Sequence, residues 1–365
     1  MKRLMVIVVC CWAALCVSAQ LDVQQRADSI VKYQLKSGGW PKNQDWLKGP
    51  NPKEAKEWMK KGIGSTIDNG ATTKEMETLA KALEQLDRMV AENSHWLDKE
   101  MVKDRRERYT EAFNRGLEFF LDMQYDNGGF PQFYPAKKKE AYTAQITFND
   151  NATVNVLRLM KGVLENDEKF QHVVVEKSIK KKCKVAYEKG IQCVLDCQIR
   201  VDESGRVLEY GTEAWKSGRR TVWCQQHDWK TLAPVQARAY ELPSYTGNGE
   251  TCAILEFLMD VEHPSAELRE AVKCGVEWLE AHVMKDVALE RFRDEEGRED
   301  VRLVPRQNAE LWARFYDLER AEPMFCDRDG VPRKKLEEVG YERRTGYSWV
   351  GEDPRRVIER YKGMR

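Results

Sequence analysis

Internal repetition constrains this chain more than any single motif does. The segment Gln34-Leu-Lys-Ser-Gly38-Gly39-Trp40-Pro41 recurs as Gln124-Tyr-Asp-Asn-Gly128-Gly129-Phe130-Pro131. Each copy follows a helical pattern, Ala27 to Leu35 before the first and Tyr109 to Met123 before the second, with Phe113, Leu117, Phe120 and Leu121 apolar. The glycines would end each helix and the proline would block its resumption. A degenerate third copy lies at Gln198 to Gly205, after a helix expected over Val185 to Cys197.

A second repeat interleaves with the first. Thr66-Ile-Asp68-Asn69-Gly-Ala-Thr72 precedes a helix through Met76, Leu79 and Leu83, and Phe148-Asn149-Asp150-Asn151-Ala-Thr153 precedes one through Val156, Leu159, Met160 and Val163. Tyr245-Thr-Gly-Asn-Gly-Glu250-Thr251 is a looser third start, before Ile254 to Met259. Helix, Gly-Gly-aromatic-Pro loop, Asp-Asn turn, helix, and again: such repetition suggests a solenoid or a closed toroid of three helix pairs, with the polar turns gathered at one end. From Gly297 the texture changes to arginine interleaved with Pro, Asp and Gly. An irregular region of loops and short strands is expected over about 297–350, packed over one end of a helical body of about 26–296.

The chain begins Met-Lys-Arg, runs apolar from Leu4 to Val17 and continues Ser18-Ala19-Gln20. This is the pattern of a secretory leader, residues 1–19, and the apolar run is too short for a spanning helix. The mature protein is expected to start at Gln20, secreted or periplasmic, with no transmembrane segment. The whole chain has 60 basic and 60 acidic residues, and the leader removes Lys2 and Arg3, leaving a net charge of −2. A near-neutral total gives no support for a nucleic-acid partner, and a monomer is expected. Seven cysteines follow the leader, an odd number without paired-ligand spacing, which argues against a disulfide framework or a zinc site.

Three groups of residues could carry chemistry. Asp68-Asn69 and Asn149-Asp150-Asn151 could be helix caps. They offer more oxygen ligands than one cap needs, however, and if they converge they form a hard-cation site better suited to Ca²⁺ than to zinc. The last 65 residues hold 12 Arg against 3 Lys. That preference points either to bidentate recognition of ligand carboxylates or to Arg–Asp/Glu pairs that hold an irregular region together. Finally, residues 222–244 crowd His227, Asp228, Lys230, Arg238 and Glu241 among Trp223, Trp229 and Tyr240, with Pro234 and Pro243 preventing one long helix. Trp40, Phe130, Phe133, Tyr134, Trp223 and Trp229 are candidate platforms for sugar rings, core packing being the alternative.

Taken together, Trp223-Cys-Gln-Gln-His-Asp, Ala237-Arg238-Ala-Tyr240-Glu241-Leu-Pro-Ser244, Ile67-Asp68-Asn69-Gly-Ala-Thr72, Gly129-Phe-Pro-Gln-Phe-Tyr-Pro135, Phe148-Asn-Asp150, Ala313-Arg314-Phe-Tyr316, Asp327-Arg328-Asp-Gly330 and Glu342-Arg-Arg-Thr-Gly-Tyr347 resemble polysaccharide lyase family 10, the pectate lyases. The resemblance runs from about residue 26 to 350. It implies a mainly α fold, an α/α toroid with a smaller irregular region and a cleft between them. It also implies Ca²⁺-assisted β-elimination of polygalacturonate. Arg238 would be the base, Asp150 a calcium ligand and Asp68 a calcium or substrate contact. Arg314 and Arg328 would hold uronate carboxylate, and Asn69, Asn149, His227, Lys230 and Arg344 would contact substrate.

The residues alone leave the base open. Arginine has a pKa above about 12, so His227 or Lys230 is the easier base on chemical grounds. Two other readings use the same residues. Asp68 and Asp150 could be the carboxylate pair of a glycoside hydrolase, and the arginines could form a non-catalytic binding surface for acidic polysaccharide.

Overall fold

The computed structural model describes residues 22–61, 64–92, 98–136 and 141–364. The leader expected over residues 1–19 lies outside them. The described chain forms two compact units. One contains the residues up to Gln124, Phe133–Pro135 and Asn155–Glu188; the other contains Tyr125–Gln132, Ala136–Val154 and the chain from Lys189 onward.

The first repeat has a concrete structural meaning. In each copy the glutamine side chain donates to a carbonyl in the middle of a later helix. Gln34 reaches Ala112 O at 2.8 Å in the helix Lys99–Met123, Gln124 reaches Ala186 O at 2.8 Å in the helix Lys177–Cys197, and Gln198 reaches Ala271 O at 2.9 Å in the helix Ala266–Ala281. A buried helix carbonyl that takes a second bond leaves no room for a different side chain, so the glutamine persists even in the degenerate third copy. The glycines serve close approach: Gly38 and Gly128 have φ of +94° and +90°, and a Cβ there would sit 2.2 Å from Arg115 O and 2.1 Å from Lys189 O respectively.

The second repeat hangs from the first. Thr66 N–H donates to Trp40 O (3.1 Å), Thr147 N–H to Phe130 O (3.0 Å) and Thr246 N–H to Trp223 O (2.8 Å). Each turn then closes through a threonine hydroxyl. Thr72 donates to Thr66 O at 2.8 Å, Thr153 to Thr147 O at 2.6 Å, and Thr246 and Thr251 share a 2.8 Å bond. The helices Thr73–Ala91, Ala152–Glu165 and Glu250–Met259 follow. Trp40, Phe130 and Trp223 are completely buried, so these three aromatics are core and not sugar platforms.

The expected border at Gly297 is corrected. A long antiparallel strand pair, Met284–Arg293 with Glu299–Ala313, begins well before it, and the second strand has 15 residues. Few side chains of either strand are buried, so no alternation of apolar residues announces them. Val350–Gly351 pairs with the inner end of that hairpin. A second sheet runs Pro332–Arg333, Pro323–Cys326, Phe315–Tyr316, Tyr245–Thr246. Tyr240, Phe315, Phe325, Leu336, Val339 and Trp349 belong to the apolar cluster beneath these strands. A final helix, Asp353–Gly363, buries Val357 and Ile358 and ties Arg360 to Asp260 at 2.5 Å. No described helix is long and apolar enough to cross a membrane.

Candidate active site

The two Asp-Asn turns put matching residues into the left-handed region, Asn69 (φ +54°) and Gly70 (φ +71°) in the first, Asp150 (φ +51°) and Asn151 (φ +59°) in the second. This fixes the register of the repeat. Asp150 is equivalent to Asn69, and Asp68 is equivalent to Asn149. The preceding position is buried, 3% exposed at Asp68 and 2% at Asn149, while the left-handed residues Asn69 and Asp150 are exposed.

The buried position is built for hydrogen bonding. Asp68 Oδ2 is ion-paired with Lys42, and Oδ1 is buried without a partner. Asn149 Oδ1 accepts from Gln225 Nε2 at 2.6 Å and from Arg314 Nη2 at 3.3 Å, while its Nδ2 donates to Asp150 Oδ2 at 2.8 Å. Neither side chain caps its helix. Asn69 donates to Asn43 Oδ1 at 3.1 Å. Asp68 is thus buried and ion-paired through one oxygen, and the Asn149 oxygen is occupied by two donors. Asp150 is the exposed carboxylate.

From Asn149 a network runs through the unit that holds it. Arg314 Nη2 is ion-paired with Glu250 Oε1, itself buried and bonded to Gln225 Nε2 at 3.2 Å. The Arg314 guanidinium lies 4.6 Å over the Tyr347 ring. Burial alone would lower its pKa, but the Glu250 charge prevails and raises it. Tyr347 donates its hydroxyl to Glu241 Oε1 at 2.9 Å. Glu241, 2% exposed, then takes a two-pronged bond from Arg238, Nε at 2.7 Å and Nη2 at 2.6 Å. Arg238 itself is exposed, on the irregular backbone between Pro234 and Pro243. Burial acts to lower its pKa, but the Glu241 hydrogen bonds and charge outweigh it, so the guanidinium is held protonated beyond its ordinary range.

Three of the expected site residues are held by partners within the protein. His227 is completely buried: Nδ1 donates to Leu232 O at 2.8 Å and Nε2 accepts from Cys224 N–H at 3.1 Å. Burial lowers its pKa to about 4. Both ring nitrogens are thus engaged within the protein, and the ring has no exposure. Arg344 makes a two-pronged pair with Asp300 at 2.8 and 2.6 Å and donates to Val339 O at 2.6 Å, so it staples the strand Glu299–Ala313 to the loop before the helix Tyr341–Thr345. Arg314, placed as a uronate grip, is committed to Glu250 and Asn149. Arg328 is exposed, forked onto Glu342 at 3.0 and 3.0 Å, and lies 5.8 Å from the Tyr240 ring. Lys230 is exposed over the Trp229 ring at 4.8 Å. Gln225, Glu250, Arg343 and Tyr347 were not singled out from sequence. Gln225 and Tyr347 stand within the quoted motifs, and Glu250 opens the third helix start.

The exposed Arg238, its buried carboxylate clamp and the exposed Asp150 thus belong to one connected set of side chains. Comparison with known proteins supplies the family. A family model described as pectic acid lyase matches residues 34–358. A solved structure of the family 10 polysaccharide lyase from Cellvibrio cellulosa superposes with a TM-score of 0.72 at 30% identity, over 95% of this chain and 95% of that one. The structure of an aspartate-to-alanine mutant of the Cellvibrio cellulosa family 10 polysaccharide lyase, in complex with trigalacturonic acid, gives the same TM-score and identity over 93% of this chain and 92% of that chain. No curated protein matches the chain. By its near-complete family match and its 30% identity to a relative of the same length, the chain belongs to the pectic acid lyases of polysaccharide lyase family 10.

Proposed function

We propose that this lyase cleaves polygalacturonate by β-elimination, releasing 4,5-unsaturated oligogalacturonides, with Arg238 as the base. The observation that carries the reading is Arg238 itself, an exposed guanidinium held from behind by a buried carboxylate. A uronate carries its C5 proton α to a carboxylate, so proton removal builds negative charge there, and cationic side chains stabilise it. The electron pair left on C5 forms the C4–C5 double bond as the 4-oxygen leaves. The trigalacturonic acid complex of the Cellvibrio cellulosa enzyme supports an oligogalacturonate as the ligand. The three glutamine clasps support helix pairs closing into an α/α toroid.

Calcium is part of the proposal. Among the described residues no three His, Cys, Asp or Glu side chains gather around one point. The donor set that does fit a hard cation is the exposed Asp150 carboxylate, completed by the uronate's own oxygens. When bound, Ca²⁺ would neutralise the uronate carboxylate and make the C5 proton more acidic. We also read residues 1–19 as an export leader, which N-terminal sequencing of the mature protein at Gln20 would bear out.

The test is polygalacturonate digestion followed by ultraviolet absorbance. The expected outcome is growth of the absorbance of the unsaturated product in wild type and its loss in Arg238→Ala. Reducing ends without that absorbance would make the enzyme a hydrolase, and neither signal would leave a binding protein.

A further inference from the structure

Arg238 has three guanidinium nitrogens, and two are used by Glu241. Nε donates to Oε2 and Nη2 to Oε1, while the Arg238 backbone N–H donates to Oε2 at 3.1 Å. The backbone closes the same turn, Glu241 N–H to Arg238 O at 2.9 Å and Ala237 N–H to Glu241 O at 3.0 Å. The Tyr347 hydroxyl fixes the carboxylate from a separate loop. Among the described residues, Nη1 is the one guanidinium nitrogen of Arg238 without a hydrogen-bond partner. The remaining groups that face Arg238 are Tyr240, its ring 5.2 Å away, and Tyr347; Arg328 and Arg343 lie over that Tyr240 ring at 5.8 and 4.5 Å.

We propose that Glu241 is a positioning residue that presents Nη1 of Arg238 to the C5 proton and selects the neutral tautomer with its lone pair on Nη1. The proposal rests on Arg238 being the base. A neutral guanidine keeps four N–H bonds. Placing the imine lone pair on Nη1 leaves N–H on both Nε and Nη2, so both bonds to Glu241 survive deprotonation. The C5–H bond breaks, the proton goes to Nη1, the C5 pair enters the double bond and the C4–O4 bond breaks. The returning guanidinium is then the partner Glu241 favours most. The arrangement has a built-in opposition. The carboxylate that aims Nη1 also favours the charged guanidinium, which places the working range of the enzyme at alkaline pH.

The test compares Glu241→Gln and Glu241→Asp by the pH dependence of kcat and kcat/KM at fixed calcium, with Arg238→Ala alongside. Glutamine removes the opposing charge, and its amide can accept only one of the two bonds. The acid limb of kcat/KM should move at least about one pH unit lower, and the plateau kcat should fall by about ten- to a hundredfold, with KM within about threefold. Aspartate keeps the charge but withdraws the carboxylate by one methylene. Its limb should stay in place while its plateau kcat falls at least about tenfold. An unmoved limb in Glu241→Gln beside an inactive Arg238→Ala overturns the proposal while leaving the base assignment standing. Wild-type kcat in Glu241→Asp overturns it equally, and is readable even if Glu241→Gln does not fold. An active Arg238→Ala overturns the base assignment, and this proposal with it.

Discussion

The Arg314–Glu250 pair gives the strongest quantitative expectation. Both partners are buried, the side chains being 14% and 3% exposed. Neither is richly satisfied, since Arg314 Nε and Glu250 Oε2 are buried without partners. Arg314→Leu would leave the Glu250 carboxylate with Gln225 as its one side-chain donor, and would remove the cation from above Tyr347. Breaking one side of a buried pair costs about 3–5 kcal/mol because the surviving charge stays desolvated. Arg314→Lys keeps a charge but loses the planar stack and cannot serve Glu250 and Asn149 together, a loss of about 1–2 kcal/mol. Urea unfolding followed by tryptophan fluorescence and far-ultraviolet circular dichroism measures both. The double variant Arg314→Leu/Glu250→Gln supplies the control: removing the orphaned charge should restore about 2 kcal/mol or more. Arg314→Leu within about 1 kcal/mol of wild type, or a double variant no better than the single, would refute the view that this pair is a buried structural junction.

Two further expectations follow from the same geometry. Excess EDTA should abolish turnover, and Ca²⁺ should restore it better than Mg²⁺, which demands stricter octahedral coordination. Asp150→Asn should raise the Ca²⁺ needed for half-maximal rate far more than Asp68→Asn does, and full activity in chelator would sink the calcium reading. His227 makes stability pH-dependent, because burial lowers its pKa to about 4 in the fold against an ordinary 6.5. Between those values the unfolded chain takes up a proton that the native one does not. Stability should therefore fall as pH drops through that window, by up to about 1.4 kcal/mol per pH unit and about 3 kcal/mol in all. His227→Gln should flatten the slope in urea titrations, and parallel slopes for the two proteins would count against it.

The repeats were legible because they are backbone requirements. A glutamine that must reach a helix carbonyl, and glycines that must pass within contact of another backbone, leave little freedom to vary, and so the pattern survives in three copies. The strand pair Met284–Arg293 and Glu299–Ala313 was not legible for the opposite reason. Few of its side chains are buried, its pairing is supplied by the backbone, and its interspersed polar residues carry no period. Asp68 and Asp150 show a subtler limit. Both are aspartates in turns that look alike in sequence, yet they occupy successive positions of the repeat, Asp150 standing where Asn69 does. One aspartate is therefore buried against Lys42 and the other exposed.

The arginine excess carries the same lesson at the level of the site. Its chemistry was read correctly as two-pronged recognition of carboxylates, but a guanidinium fork does not distinguish a carboxylate of the protein from one of a uronate. Arg344 grips Asp300, Arg333 grips Asp329, Arg328 grips Glu342 and Arg302 grips Glu290. These pairs fasten strands and loops that bury few apolar residues. What separates the partners is exposure of the carboxylate's far side. Asp300 is 8% exposed and closed off, whereas Glu342 is 63% exposed beside an equally exposed Arg328. An exposed pair of this kind is worth little to stability, about 0–1 kcal/mol. A polyuronate chain arriving at Arg328 therefore has only that small energy to overcome before it replaces Glu342. Arg328 and Arg238 are both forked arginines with an exposed guanidinium, open to such an exchange or approach, and both face the Tyr240 ring.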